Sequence, residues 1–142
     1  MSNRYGFRGY IASRPVRGLL QPQHVQNIVV RDYAARNKLP YLLSAAEYAM
    51  PGSYMVLQSV LESLPTLQGI ICYSLFMLPG RASRRREVYR RLFDAGCTLH
   101  GAIEGMALVD EADAARLEDI FLADRCAAAA PPALDFAAEP SP

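Results

Sequence analysis

The chain is poor in the residues that build metal sites and disulfide frameworks. Its 142 residues include no tryptophan, only three cysteines without Cys-x-x-Cys spacing, and only two histidines. An odd number of cysteines without this spacing argues against a structural zinc site and a disulfide framework, and it favours a reducing compartment. The histidines, His24 and His100, have no paired spacing, so we expect no catalytic metal.

Nucleotide and membrane signatures are also missing. The sequence has no Gly-x-Gly-x-x-Gly segment and no P-loop, and Lys38 is its only lysine, so we expect no cofactor. The longest apolar run, residues 69–78, is about half of the roughly 20 residues that span a bilayer. No apolar segment of a secretory signal follows residues 1–8. We therefore expect a cytoplasmic protein without membrane contact, and the net charge of +1 does not indicate nucleic acid.

What the chain does contain is an alternation of strand-like and helix-like segments. Apolar runs predict four strands, and helical spacing of apolar residues predicts a helix after each. This alternation predicts a three-layer α/β/α domain over residues 1–126, with a mainly parallel sheet of about four strands. The alanine- and proline-rich residues 127–142 predict a disordered tail. The predicted strands are residues 5–12, 39–45, 69–75 and 97–103, and the predicted helices are residues 22–37, 53–65, 83–95 and 111–124.

Polar side chains follow each predicted strand where it ends. The carboxyl ends of parallel strands form the edge at which α/β proteins bind ligands, so we expect these side chains to share one cavity. A histidine, carboxylates, arginines and hydroxyls together suit the turnover of a polar, anionic small molecule. The candidate catalytic residues are Ser13, His24, Glu47 and Glu104. The candidate substrate-binding residues are Arg14, Arg17, Gln23, Ser44, Tyr48, Ser53, Tyr54, Tyr73 and Ser74.

Each candidate has a chemical role and a structural alternative. Arg14 and Arg17 offer bidentate donors to a phosphate or carboxylate, or they are solvated loop charges. Histidine titrates near neutral pH, so His24 suits general acid–base catalysis, or it is a polar residue at a helix start. Glu47 and Glu104 have apolar neighbours and suit proton removal and return, or they form loop salt bridges.

Three further features have two interpretations each. Ser13 is a nucleophile or a turn hydroxyl, and no Gly-x-Ser-x-Gly elbow surrounds it. His100 lies within a predicted strand, where we expect it to be packed or hydrogen-bonded. A run of arginines on the third helix could contact a nucleic-acid backbone or form a solvated face, and we favour the latter. The run consists of Arg81, Arg84, Arg85, Arg86, Arg90 and Arg91.

One resemblance concerns the fold. The segments GYIAS (9–13), RDYA (31–34), GIICYSL (69–75) and GCTLH (96–100) resemble the catalytic domain of serine recombinases. Ser13 corresponds approximately to the attacking serine of that family, but the arginine of its Tyr-x-Arg-x-Ser segment is missing. SLFML (74–78) stands where the family has Asp-Arg-Leu-x-Arg. The resemblance, over about residues 5–121, implies a resolvase-like or flavodoxin-like fold and argues against strand exchange.

A closer resemblance concerns the biological setting. The chain is similar to a small bacterial family, the sporadic carbohydrate cluster proteins, over about residues 8–124. The segments that carry this similarity are RGYIASRP (8–15), PQHVQN (22–27), YLLSAAEYAMP (41–51) and YSLF (73–76). The resemblance implies a role in making an unusual sugar for a surface glycan or a secreted metabolite, and it implies no particular reaction.

These observations favour an enzyme that acts on a sugar phosphate or nucleotide-activated sugar by proton transfer, of isomerase, epimerase or lyase type. Two alternatives are a non-catalytic partner subunit of a carbohydrate-pathway enzyme and a recombinase-derived nucleic-acid binder. Apolar residues after the third strand also predict a homo-oligomer, because their exposure to water would be costly. They are Phe76, Met77 and Leu78.

Overall fold

The computed structural model describes residues 4–50 and 52–128. Strands and helices alternate along the chain, as the sequence predicts. Two short 3₁₀ helices, Leu64–Thr66 and Leu75–Met77, precede and follow the third strand. The other elements are β1 (Phe7–Ala12), α1 (Gln23–Arg36), β2 (Tyr41–Glu47), α2 (Met55–Glu62), β3 (Gly69–Cys72), α3 (Ala82–Asp94), β4 (Thr98–Gly101), β5 (Met106–Leu108) and α4 (Glu111–Ala128).

The strands form one sheet in the order β2-β1-β3-β4-β5. Neighbours are parallel except β5, which pairs antiparallel with β4. The α/β class and the mainly parallel sheet are thus confirmed, but the expected number of about four strands is wrong. The sheet has five because Met106–Leu108 folds back after a short turn, and three residues are too few to show an alternating pattern.

Alternate residues of the strands enter two separate hydrophobic clusters. Tyr10 of β1 belongs to a cluster with buried residues of α2, α3 and α4. Ile11 of the same strand belongs to a second cluster, with Val30 and Tyr33 of α1. The chain steps from β1 to β2 in one direction and from β2 to β3 in the other. Because crossovers are right-handed, these two steps place their helices on opposite sheet faces.

The end of α3 and the start of α2 differ in what satisfies them: a glycine nearby in the sequence for α3, and a side chain distant in the sequence for α2. Gly96 has φ +73° and follows the last residues of α3, as expected for a glycine beyond a helix end. Ser53 does not cap the second helix, because α2 begins only at Met55 and no adjacent side chain caps it. Its first N–H groups are instead bound by Glu47, the last residue of β2.

The structure bears on two further expectations, the exposed apolar surface after the third strand and the end of the domain. Met77 and Leu78 are buried in the larger cluster, so they do not form the exposed apolar surface from which self-association was expected. Helix α4 continues to Ala128, two residues past the predicted domain end at 126. The rest of the predicted tail, residues 129–142, lies outside the described residues.

Candidate functional site

A cleft opens at the carboxyl ends of the central strands, between the loops that follow β1, β3 and β4. It has a volume of about 310 Å³. Four residues expected at the site line it: Arg17, Tyr73, Ser74 and Glu104. From β1 the sheet extends to β2 on one side and to β3 on the other, and the crevice at such a reversal is where open α/β sheets bind ligands.

Arg17 enters the cleft from a two-residue hairpin. Val16 and Leu19 exchange backbone hydrogen bonds of 2.8 and 3.1 Å. The two residues between them, Arg17 and Gly18, have φ values of +53° and +81°. Positive φ at both positions defines a type I′ turn, which selects glycine, asparagine or aspartate. An arginine there is strained by roughly 1–2 kcal/mol, and such strain is concentrated at functional sites.

The guanidinium of Arg17 is held on two sides. It stacks on the ring of Phe76, 4.5 Å from the ring centre, and it forms an ion pair with Asp124 of α4. Its side chain is 57% exposed, so the remaining donors are open to the cleft. Asp124 lies 107 positions further along the chain, so no local pattern could have identified it as the partner.

Glu104 faces the cleft from the turn that follows β4. Its two carboxylate oxygens accept hydrogen bonds from the Ser74 hydroxyl, at 2.7 Å, and from the Leu75 N–H, at 2.9 Å. A Cβ at Gly101 would come within 2.6 Å of Glu104 and 2.4 Å of Leu75, so only glycine permits this approach. The carboxylate is half-buried and joins the loops after β3 and β4.

Glu47 lies away from this cleft and is 1% exposed. Its carboxylate accepts four hydrogen bonds, from the Tyr10 hydroxyl at 2.6 Å and from the N–H groups of Tyr48, Val56 and Leu57. The last two belong to the first turn of α2, where a negative charge is stabilised by the helix dipole. Burial and the bond to Glu47 raise the pKa of Tyr10. These contacts give Glu47 a structural role.

Arg14 is engaged by the loop that follows β2. Its guanidinium donates to the carbonyl oxygens of Met50 and Ser53, each at 2.8 Å, and more weakly to that of Tyr48. It also lies 4.7 Å from the centre of the Tyr54 ring. Arg14 therefore holds Tyr48, Met50 and Ser53 in place, and carbonyl groups occupy donors that were expected to bind an anion.

The remaining expected residues are spread over other parts of the surface. Ser13 donates its hydroxyl hydrogen to the Glu47 carbonyl at 2.6 Å, and with Gln23 it lines a separate small hollow. Ser44 shares a hydrogen bond of 2.6 Å with the Tyr41 hydroxyl. His24 is exposed on the first turn of α1. Neither His24 nor Glu47 lines the cleft that Glu104 faces.

His100 and the arginine run have defined structural environments. His100 is packed in β4 as expected, with hydrogen bonds to the Tyr33 and Thr98 hydroxyls, and burial lowers its pKa to about 4. Arg85 is 1% exposed and forms a bidentate ion pair with Glu118, so it does not belong to a solvated face. Arg90 is paired with Glu87 and Asp94, which reduces the positive charge available to a nucleic acid.

Sequence reasoning missed the residues that shape the cleft around Arg17. Phe76 was expected at an oligomer surface, whereas its ring lies beneath the Arg17 guanidinium and against Phe121. The signal that could have revealed the hairpin is an x-Gly pair between two apolar residues, Val16 and Leu19, which is typical of two-residue turns.

Within residues 4–50 and 52–128, no three His, Cys, Asp or Glu side chains are grouped so that they could share a metal ion. No helix in this part of the chain has the length and hydrophobicity needed to cross a membrane.

Comparison of the chain with protein-family models, with curated proteins and with solved structures gives no match.

Proposed function

We propose that the protein is a cytoplasmic enzyme that binds a sugar phosphate or nucleotide-activated sugar in the Arg17 cleft. The reaction is a proton transfer that needs neither a redox cofactor nor a metal. The observation that carries the proposal is the strained arginine opposite a carboxylate in one cleft at the sheet reversal. The carbohydrate setting is taken from the resemblance described above.

The chemistry of the cleft supports this assignment of roles. Arg17 supplies charged donors suited to a phosphate, and stacking on Phe76 limits its freedom before a ligand binds. Tyr73 and Ser74 supply hydroxyl groups suited to those of a sugar. Glu104 is the one carboxylate among the residues lining this cleft, and it is the proposed proton carrier.

The number of carboxylates in the cleft bears on the type of reaction, because Glu104 is the one acidic side chain among the described lining residues. Glu47 is buried at the start of α2 and does not line the cleft. Epimerisation by two bases requires proton carriers on both faces of the substrate, whereas one carboxylate can remove and return a proton on the same face. We therefore favour an isomerase or a lyase over a two-base epimerase.

The strand order supports the finer assignment of the fold. The order β2-β1-β3-β4 with helices on both sheet faces is that of doubly wound domains. We interpret the domain as three-layer α/β/α, resolvase-like or flavodoxin-like, with β5 as an added antiparallel edge.

The test measures binding and proton exchange with a panel of sugar phosphates and nucleotide sugars in deuterated water. The expected result is saturable binding of at least one compound, with deuterium entering a carbon-bound position. Arg17→Ala should weaken binding at least about tenfold, as expected for a lost charged hydrogen bond. Glu104→Gln should retain binding and abolish exchange.

Two matched variants separate these roles from general damage. Arg36→Ala removes another exposed arginine that is paired with an acidic residue, Asp32, and should leave binding and exchange unchanged. Glu47→Gln should lower the melting temperature and retain exchange, because its carboxylate caps α2. Exchange that survives in Glu104→Gln, or binding that survives in Arg17→Ala, eliminates the proposed roles.

A second candidate function is that of a partner subunit, either in a homo-oligomer or with another enzyme. It is favoured by Leu19 and Ile103, which line the cleft and are 66% and 54% exposed. If this surface joins two copies, sedimentation should show an oligomer that Leu19→Ser with Ile103→Ser dissociates. Ile28→Ser, at a similarly exposed position on α1, is the control.

A further inference from the structure

A second cavity lies on the sheet face that α2 covers, and an arginine of the central sheet lines it. The volume of this cavity is about 430 Å³. Arg8, the second residue of β1, is paired with Leu42 of β2 on one side and with Ile70 of β3 on the other. Its backbone is therefore fixed within the sheet, and its side chain stands against the cavity.

Arg8 has no acceptor for its side-chain donors among the residues that the structure describes. Its Nε is buried and has no hydrogen-bond partner among residues 4–50 and 52–128, and no ion pair to Arg8 is found in the same residues. Native proteins rarely leave a buried polar atom unsatisfied, least of all on a charged group. An exposed surface arginine could reach water instead, but the Nε of Arg8 lies out of contact with solvent.

The walls of the cavity combine hydroxyl groups with apolar side chains. Tyr48 and Ser59 line it, and their hydroxyls have no partner in the described part of the chain. Leu42, Val56 and Leu67 contribute apolar surface. No aspartate or glutamate is among the described residues that line the cavity, so none of these residues neutralises the charge of Arg8.

We propose that this cavity binds a small organic anion, with its carboxylate or phosphate on Arg8 and its apolar body against the α2 face. The two terminal nitrogens of a planar guanidinium present a pair of donors, and two oxygens of an oxyanion match that pair. Such a ligand gives the terminal nitrogens of Arg8 acceptors on the cavity side, and the hydroxyls of Tyr48 and Ser59 are available to the same group. The apolar walls bind the rest of the molecule.

This site is independent of the proposed catalytic cleft. The two cavities share no lining residue. Arg17→Ala should therefore leave binding at Arg8 unchanged, and Arg8 variants should leave binding at Arg17 unchanged, so each proposal can fail without the other.

The experiment titrates the full chain with three probes: phenylacetate, phenyl phosphate and the neutral phenylacetamide. Proton–nitrogen correlation spectra follow the Nε–H signal of Arg8, which Arg8→Met assigns by its loss. We expect a saturable shift of this signal with at least one acid and none with the amide. The two acid arms show whether carboxylate or phosphate is preferred.

Variants at Arg8 complete the test. Arg8→Met should weaken binding of the preferred acid at least about tenfold, and Arg8→Lys should weaken it less, because lysine keeps the charge but loses the paired donors. Arg36→Met removes a surface arginine and should have no effect. The proposal is overturned if neither acid shifts the Arg8 signal at millimolar concentration, if the amide binds equally well, or if Arg8→Met binds like the natural chain. Should Arg8→Met not fold, Arg8→Lys and the signal in the natural chain decide the outcome.

Discussion

Two arginines inside this domain have opposite surroundings. Arg85, between α3 and α4, is 1% exposed, and all three of its nitrogens have acceptors. Nε and one terminal nitrogen bind Glu118 at 2.7 Å, and the other terminal nitrogen binds the carbonyls of Pro79 and Gly80. Arg8, between α2 and the sheet, has a buried Nε with no acceptor in the described residues.

The difference shows that burial alone does not reveal the role of a charged side chain. Its role is indicated by the hydrogen-bond and ion-pair partners that surround it. Tyr89 also donates to Glu118, and Phe121 lies 3.9 Å from the Arg85 guanidinium, so that region is complete by itself. The described residues that line the Arg8 cavity supply a cation and hydroxyl groups but no carboxylate. One arginine joins two helices, and the other is suited to a ligand from outside the chain.

The largest expected effect is at the Arg85 region. Glu118→Ala leaves Arg85 buried without its carboxylate, and breaking a buried pair in this way costs about 3–5 kcal/mol. Urea denaturation should therefore show a much lower free energy of unfolding. Asp32→Ala breaks the exposed Arg36 pair and should cost less than about 1 kcal/mol. Equal losses in the two variants contradict the structural role of Arg85.

A smaller effect on the free energy of unfolding is expected from His100. This buried histidine, like Arg85, has hydrogen-bond partners for each of its side-chain nitrogens. Burial lowers the pKa of His100 to about 4, below the value of an unfolded histidine. Between about pH 6.5 and 4 the unfolded chain binds more protons, so stability falls as the pH falls, by about 3 kcal/mol in total.

This loss should be visible as a pH-dependent free energy of unfolding, and His100→Gln should remove that part of the slope. An identical slope in His100→Gln contradicts a neutral, buried His100.

The smallest effect is expected at Arg8. Arg8→Met replaces an unpartnered donor with an apolar side chain in a partly apolar cavity, so the free energy of unfolding should stay within about 1 kcal/mol or rise. Urea denaturation without added ligand is the measurement. A loss as large as that of Glu118→Ala shows that Arg8 has a structural role like that of Arg85.

Local sequence patterns were sufficient to predict the helices, four of the strands and the packed, hydrogen-bonded environment of His100. The four predicted strands overlap four of the five strands of the sheet, and only β5 was not predicted. Strand ends also indicated the edge at which Arg17, Ser74 and Glu104 meet. These features follow from periodicity and chain connection, which are properties of neighbouring residues.

Partners distant in the sequence could not be predicted in the same way. Glu47 and Glu104 have similar local surroundings in the sequence, yet one caps α2 and the other faces the cleft. Both carboxylates accept hydrogen bonds from backbone N–H groups. They differ because the loops after β1, β3 and β4 form a cleft next to Glu104. The expectation that His24 shares that cavity was not met, because the first turn of α1 directs it to solvent.

The sequence by itself determined the alternating elements, the mainly parallel sheet and the edge where polar residues collect. It did so because hydrophobic period and turn residues act over short stretches of chain. Only the tertiary structure decided which charges are satisfied: Arg85 by Glu118, Glu47 by α2, and Arg8 by no group in the described chain. Hydrogen bonding and burial depend on atoms brought together from distant positions, and spacing along the chain does not encode those distances.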